Sequence, residues 1–481
     1  MSPTALTDNA GRDEDARVRR LDGRAVRTRA QGAEFVLYWP QMYRRSGDNA
    51  ALAYAIGRAN ELGLPCLVYE ALRPDYPHAS DRFHTFVLEG ARDMAAGLAE
   101  RGILHAFFLP RTPAEARGVL GKLAARAALI VTDEFPTFIV PEQNERAAKR
   151  ATCPYFVVDD CAVVPMSLFP KMEIGARTIR PKLHRALDAW LVPIDEPKPK
   201  IAAPRRLDLP FEPIDLARAD VTALVRACAI DHGVPPVAEL PGGSRAAEAR
   251  LERFVRRGLA SYAVDRNDPS RDGGSLLSPY LHFGMISARR IALAVREAAR
   301  DGAPEESTTA YLEQLLVRRA LAFNFARACP EHRTYDAIPR WAKETLAKHA
   351  TDERYAEPSL EDLEAARSPD AIWNAAQAEL RARGVVHGYA RMLWGKLPLT
   401  WSSEPARVHA MLVRLNDRYA LDGRDPDGYT NISWCFGLHD RPWPERPFFG
   451  TVRTMTSRSA AKKLDFDAYL DRARAWNATF A

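Results

Sequence analysis

Phe35-Val36-Leu37-Tyr38-Trp39 opens a series of short apolar runs that decides the first half of the fold. Cys66-Leu67-Val68-Tyr69, Ala106-Phe107-Phe108-Leu109, Leu129-Ile130-Val131 and Tyr155-Phe156-Val157-Val158 continue it. Each run is unbroken and too short for a buried helix, so each predicts a strand covered on both faces. The stretches 49–62 and 81–101 between them carry helical spacing. Strands alternating with helices predict a parallel α/β sheet. No Gly-x-Gly-x-x-Gly opens the alternation, so the usual dinucleotide fingerprint is absent. Asp48 reads as a cap for the helix that follows it.

Residues 1–32 are polar and charged, without the apolar core of a secretory signal, and read as a disordered tail. Beyond the last strand, Pro193, Pro197, Pro199, Pro204, Pro210 and Pro213 interrupt regular structure. Pro235-Pro236 and Pro241-Gly242-Gly243 mark the end of a connector placed at 166–243. From Ser244, read as a helix cap, strand alternation gives way to helical periodicity around 311–325, 371–384 and 406–419. Six of the nine tryptophans lie from Trp373 onward, with Trp341 just before them, more than an ordinary core needs.

The 481 residues are 47% hydrophobic and 27% charged, enough to bury a large core and far from disordered or collagen-like composition. No apolar run reaches the ~20 residues of a membrane span. Sixty-eight basic against 62 acidic residues, a net +6, permit an anionic partner without requiring one. The six cysteines lack Cys-x-x-Cys or zinc spacing, so no metal site is expected and the thiols suit a reducing, cytoplasmic location.

Acid–base, nucleophilic and nucleoside-triphosphate signatures are absent. Four features remain. Tyr262 to Gly284 holds a Gly- and Ser-rich loop entering a helix, whose hydroxyls and backbone N–H groups could hold phosphate, although local chemistry alone favours a simple capped turn. Gln314 and Arg318 fall one helical turn apart, where a solvated face is the plain alternative. Trp394 and Trp401 are two turns apart, but Pro398 argues against one straight helix. Trp443, Phe448 and Phe449 interleave with Arg441, Arg446 and Arg453 after Trp434, a mixture suited to stacking on bases and pairing with phosphates. Aromatics and buried-looking amides without acid–base groups point to chemistry carried by a cofactor.

The ordered set of motifs resembles the class II deoxyribodipyrimidine photolyases of the photolyase/cryptochrome family. It comprises Asp48-Asn49, Ala176-Arg-Thr-Ile-Arg-Pro-Lys182, Arg266-Asn267-Asp-Pro, Ser275-Leu-Leu-Ser278-Pro-Tyr-Leu-His-Phe-Gly284, Trp373-Asn-Ala-Ala-Gln377, His387-Gly-Tyr-Ala-Arg391-Met392, Asp422-Gly-Arg-Asp425-Pro and Gly437-Leu-His-Asp440. The match extends over about 34–470. It implies a Rossmann-like parallel α/β domain at 33–165, then an all-helical FAD- and DNA-binding domain at 244–481. It implies light-driven repair of cyclobutane pyrimidine dimers in double-stranded DNA by a cytoplasmic monomer: excited reduced FAD passes an electron to the flipped-out lesion, and the electron returns after the ring splits. An antenna chromophore of deazaflavin or folate type in the α/β domain is a further implication.

By the same resemblance, Tyr262, Ser275, Leu276, Leu277 and Ser278 contact FAD, and Asn416 sits beside flavin N5. Arg391 and Asp422 pair behind the isoalloxazine. Trp394, Trp373 and Trp401 relay electrons, with Trp394 nearest the flavin. Arg266, Asn267, Gln314, Met392 and Trp434 line the lesion pocket, and Arg441 and Arg453 support the gap left in the DNA. The sequence departs from the family at Glu313-Gln314, where two acids are usual, and at Thr454-Met-Thr-Ser, where an aromatic stretch is usual. A cryptochrome-like light sensor without repair activity is the alternative. Its usual sign is a long C-terminal extension, and this sequence runs only a few residues past Tyr469.

Overall fold

The computed structural model describes residues 16–202, 204 and 207–478. Six strands form one sheet: β1 Val18–Arg20, β2 Phe35–Trp39, β3 Cys66–Ala71, β4 Leu104–Phe108, β5 Ala127–Asp133 and β6 Tyr155–Val158. Their spatial order is β1-β6-β5-β2-β3-β4. The five apolar runs all become strands, each parallel to its neighbours among them. All seven residues of β5 are buried, as continuous apolar strands require.

The sixth strand corrects the reading of 1–32 as a disordered tail. Val18–Arg20 pairs antiparallel with β6 at the sheet edge. Its Val-Arg-Arg composition looks like tail because an edge strand carries charge freely. Buried Arg17 fixes the strand, donating to the carbonyls of Asp159 (2.9 Å) and Val163 (2.5 Å) and lying 4.9 Å over the Trp190 ring. Residues 1–15 of that expected tail lie outside the described residues.

Two caps also differ. Asn49, rather than Asp48, caps Ala50–Leu62, accepting from the Leu52 N–H at 3.0 Å. Asp48 instead adopts a left-handed φ of 47° and turns to Arg289, 2.9 Å away. Ser244 is already the first residue of its helix; the Asp93 carboxylate takes the Arg245 N–H at 2.9 Å. The expected connector contains two helices, Ala176–Trp190 and Val221–Arg226, with Pro181 tolerated inside the first.

The halves share a core. Val36, Val68 and Val131 of the sheet belong to the same apolar cluster as Tyr262, Tyr280, Phe283 and Leu316 of the helical half. A second cluster, including Trp373, Trp394 and Trp401, is confined almost wholly to the C-terminal helices. Gly284 (φ +64°) lets the halves touch: a Cβ there would lie 2.3 Å from the Met42 carbonyl oxygen.

Burial pushes His84, His387 and His409 down to about 4, so these side chains fold in the neutral form. The unfolded chain takes up their protons near 6.5, and stability therefore falls as pH drops from 6.5 toward 4. The expected result is a melting temperature that declines over this interval, measured at constant ionic strength. A flat profile there contradicts it.

Candidate active site

The helix Ala371–Arg383 starts at Asp370, whose carboxylate accepts the Trp373 N–H at 2.9 Å and so fixes the register of Trp373. Trp394 lies on Gly388–Lys396, which tightens at Leu397–Thr400 around Pro398 and delivers Trp401. One straight helix is thus interrupted, as Pro398 predicts. Trp394 stacks on Trp373 at 6.4 Å and 9°, and Trp401 meets Trp373 edge-on at 5.7 Å. All three indoles are buried and their N–H groups partnered. Trp373 donates to the Trp394 carbonyl (2.9 Å), Trp394 to Gln377 Oε1 (2.9 Å) and Trp401 to Tyr355 Oη (3.2 Å). Tyr355 is 73% exposed, so a continuous aromatic path runs from the core to water.

On the Trp394 helix, Arg391 pairs with Asp422 at 3.2 Å. Asp422 belongs to a tight loop in which Gly423 lies against Asn416; a Cβ there would be 2.7 Å from the Asn416 carbonyl oxygen. Asp425 then caps Pro426–Cys435 by accepting from Asp427 N–H. Asn416 is buried on Pro405–Tyr419, and among the described residues its Nδ2 has no hydrogen-bond partner. Gly428 faces that amide, where a Cβ would stand 3.0 Å from Nδ2. A buried amide donor left unpaired costs about 1–3 kcal/mol, so this arrangement suits a ligand acceptor.

The Gly- and Ser-rich segment packs on a tyrosine pair. Tyr311 Oη donates to Ser275 Oγ at 3.2 Å, and its ring meets Tyr262 edge-on at 5.0 Å. Leu276 takes a left-handed φ of 54°, the Leu277 N–H donates to Ser275 Oγ at 3.4 Å, and Ser278 opens Ser278–His282. Arg266 lies 5.4 Å over the Tyr262 ring, and exposed Asn267 donates to the Ala263 carbonyl at 3.2 Å. Half-buried His387, before the Trp394 helix, is close enough to Asp272 and Asp268 to feel their charge. The loop and the Trp394 helix therefore share one neighbourhood.

Gln314 lies in a π-helical stretch, Glu313–Arg318, rather than in the regular helix expected from periodicity. The wider turn shifts the register, and Arg318 points to Glu313 (3.3 Å) and over the Trp434 ring (5.3 Å). Arg180, from the expected connector, pairs with Glu313 at 2.7 Å. Met392 is exposed on the helix that buries Trp394. Arg441 and Arg453 gather around Trp443, at 5.6 and 4.4 Å, with Arg453 paired to Asp440 at 3.0 Å. Asp440 directly follows His439, whose ring meets Trp434 edge-on at 5.9 Å, so these arginines border the Trp434 group.

Arg424 went unsingled in the sequence because nothing in an Asp-Gly-Arg-Asp string announces a left-handed arginine (φ 65°). It is buried 3.7 Å over the Phe83 ring, with Nη2 unpartnered among the described residues. It lines a cavity of about 520 Å³ with Gln41, Tyr76, Phe138 and Phe283, next to the C-terminal ends of β2 and β3. His282, 3.1 Å from Asp425, joins that wall, so one loop borders both the cavity and the Arg391 pair. Among the described residues no helix is long and apolar enough to cross a membrane.

The DNA photolyase family model matches residues 36–201. The chain is 38% identical over 460 residues to the deoxyribodipyrimidine photo-lyase of Methanothermobacter thermautotrophicus, covering 95% of this chain and 98% of that one. It is 37% identical over 450 residues to that of Oryza sativa subsp. japonica, covering 90% and 86%. The fold matches a crystal structure of a bacterial class III photolyase from Agrobacterium tumefaciens (TM-score 0.67, 16% identity, 92% and 86% covered). It also matches an archaeal photolyase from Sulfolobus tokodaii solved with two FAD molecules (TM-score 0.62, 17% identity, 92% and 93% covered). The chain belongs to the photolyase/cryptochrome family and, within it, to the deoxyribodipyrimidine photo-lyases, flavoprotein lyases of DNA repair.

Proposed function

We propose that the chain is a class II enzyme, a cytoplasmic monomer, that binds FAD among its C-terminal helices and repairs cyclobutane pyrimidine dimers in double-stranded DNA. The observation that carries this reading is the junction of Trp394, the Arg391–Asp422 pair and the unpartnered Asn416 amide. Tyr262, Ser275, Leu276, Leu277 and Ser278 would hold the phosphates and ribose, and Asn416 Nδ2 would donate to the flavin edge. The chemistry that bound, reduced FAD supplies is the light-driven, reversible donation of one electron to the lesion.

The remaining work belongs to the protein. Arg391 and Asp422 fix one another, so neither charge is free to reorient as charge moves nearby. Trp373 and Trp401 connect Trp394 to Tyr355 and thus to solvent reductants. Trp434, held beneath the Arg318 guanidinium, would stack on a flipped-out pyrimidine pair, with Met392 as apolar packing and Arg266, Asn267 and Gln314 as polar contacts. Arg441 and Arg453 would support the opened duplex. The cavity around Arg424 would take the antenna chromophore, a planar aromatic of deazaflavin or folate type.

The purified protein is expected to show a flavin spectrum, to bleach under blue light with a reductant, and to restore dimer-containing DNA when illuminated. A protein that binds flavin and bleaches but repairs nothing would instead be a light sensor.

Gln314 donates and accepts hydrogen bonds but cannot share a proton as an acid does. Gln314→Glu is therefore expected to raise the yield of dimers split per absorbed photon. Equal quantum yields for the two proteins would contradict this role.

A further inference from the structure

We propose that the loop 168–174 is a DNA-inserting element in which Ile174, flanked by Met172, enters the duplex where the dimer has left the stack. The proposal rests on the repair reading above. Three observations carry it.

The loop is rigidly held. Buried Asn324 donates through Nδ2 to the carbonyls of Phe169 and Lys171, both at 3.0 Å, and accepts the Glu173 N–H through Oδ1 at 2.7 Å. Glu173 is itself buried and pairs with Lys182 at 2.5 Å. Despite this anchoring, Leu168, Met172 and Ile174 are 47%, 42% and 80% exposed. A fixed loop that holds three large apolar side chains in water marks a contact surface.

The loop ends beside Trp434. His439 Nδ1 is 2.8 Å from the Ile174 carbonyl oxygen, and the His439 ring meets Trp434 edge-on at 5.9 Å. The Ile174 backbone thus lies one side chain, His439, away from the ring assigned to the lesion.

Its surroundings suit a polyanion. Lys171, Arg177, His184 and Arg185 are exposed along the loop and the helix Ala176–Trp190 that follows, and the nearby acid Glu313 is already paired by Arg180. Flipping two bases leaves a hole between their neighbours, and minor-groove proteins show that an apolar side chain can be seated between base steps while cations hold the phosphates. A β-branched side chain with few rotamers is suited to that task. Duplex DNA is therefore the occupant that both the charge and the position select.

The test measures binding of the flavin-loaded protein to a duplex with one dimer, the same duplex undamaged, and the dimer-containing single strand. A 2-aminopurine placed beside the dimer reports unstacking. Ile174→Ser is expected to weaken binding of the damaged duplex about tenfold, equivalent to about 1.4 kcal/mol, and to diminish the 2-aminopurine signal. Binding of the damaged single strand, which has no stack to fill, changes little, and Ile174→Leu restores the wild-type result. Equal losses on duplex and single strand, or none, would overturn the wedge while leaving repair intact. A wild-type protein without preference for the damaged duplex would overturn the repair reading and the wedge together.

Discussion

Trp394→Phe is expected to leave the protein folded and loaded with flavin but to abolish light-driven flavin reduction by external reductant. Trp394 is the buried end of the aromatic path, stacked at 6.4 Å and 9° on Trp373. Phenylalanine preserves the apolar contact, but benzene is far harder to oxidise than indole, so hopping stops at this position. The substitution also leaves Gln377 Oε1 without the Trp394 N–H. Lost volume and lost hydrogen bond together cost about 1–3 kcal/mol, which a large shared core tolerates. Chemical reduction in the dark should restore repair, since the lesion side is untouched. Retained photoreduction in Trp394→Phe would show that electrons enter by another path. Trp401→Phe should slow photoreduction less, because Trp373 remains to receive charge.

The five parallel strands were legible because continuous apolar runs have one economical solution, a sheet covered on both faces. Val18–Arg20 was not, because an edge strand with one apolar residue has the composition of a tail. The tryptophan positions were legible through their motifs, and Pro398 foretold the break between Trp394 and Trp401. The stacking of Trp394 on Trp373 was not, since it depends on how two helices cross. The π-helical turn at Glu313–Arg318 was hidden for a related reason: one inserted residue leaves the apolar spacing nearly unchanged while re-aiming Gln314 and Arg318. Arg424 and Ile174 escaped notice because burial of an arginine and exposure of an isoleucine are tertiary facts, each contrary to the residue's ordinary preference.

Arg289→Ala carries the largest expected loss of stability. Arg289 is buried at the start of Ala288–Arg300 in the helical half, and both its partners lie in the α/β half: Asp48 at 2.9 Å and Asp160 at 3.2 Å. Asp160 is buried as well and also pairs with Arg45 and Arg17. Burial alone would raise the Asp160 carboxyl; Arg289, Arg45 and Arg17 outweigh it and hold the group below its ordinary 3.8. Removing Arg289 leaves the partly buried Asp48 carboxylate with the Ser287 hydroxyl but no cation, and Asp160 with less compensation. Breaking a buried pair from one side costs about 3–5 kcal/mol, and the remaining arginines place this case toward the lower figure. Adding Asp48→Asn to the variant should recover part of the loss, because the unpaired charge is what is penalised. A carboxylate with a depressed value stabilises the fold above its unfolded value and loses that contribution as pH falls through its folded one. The variant moves the Asp160 value upward, so its acid unfolding should begin at higher pH than that of the wild type. Urea titrations at neutral pH and acid titrations of both proteins measure the two effects, and an unchanged acid midpoint would show that Arg289 does not set the charge state of Asp160.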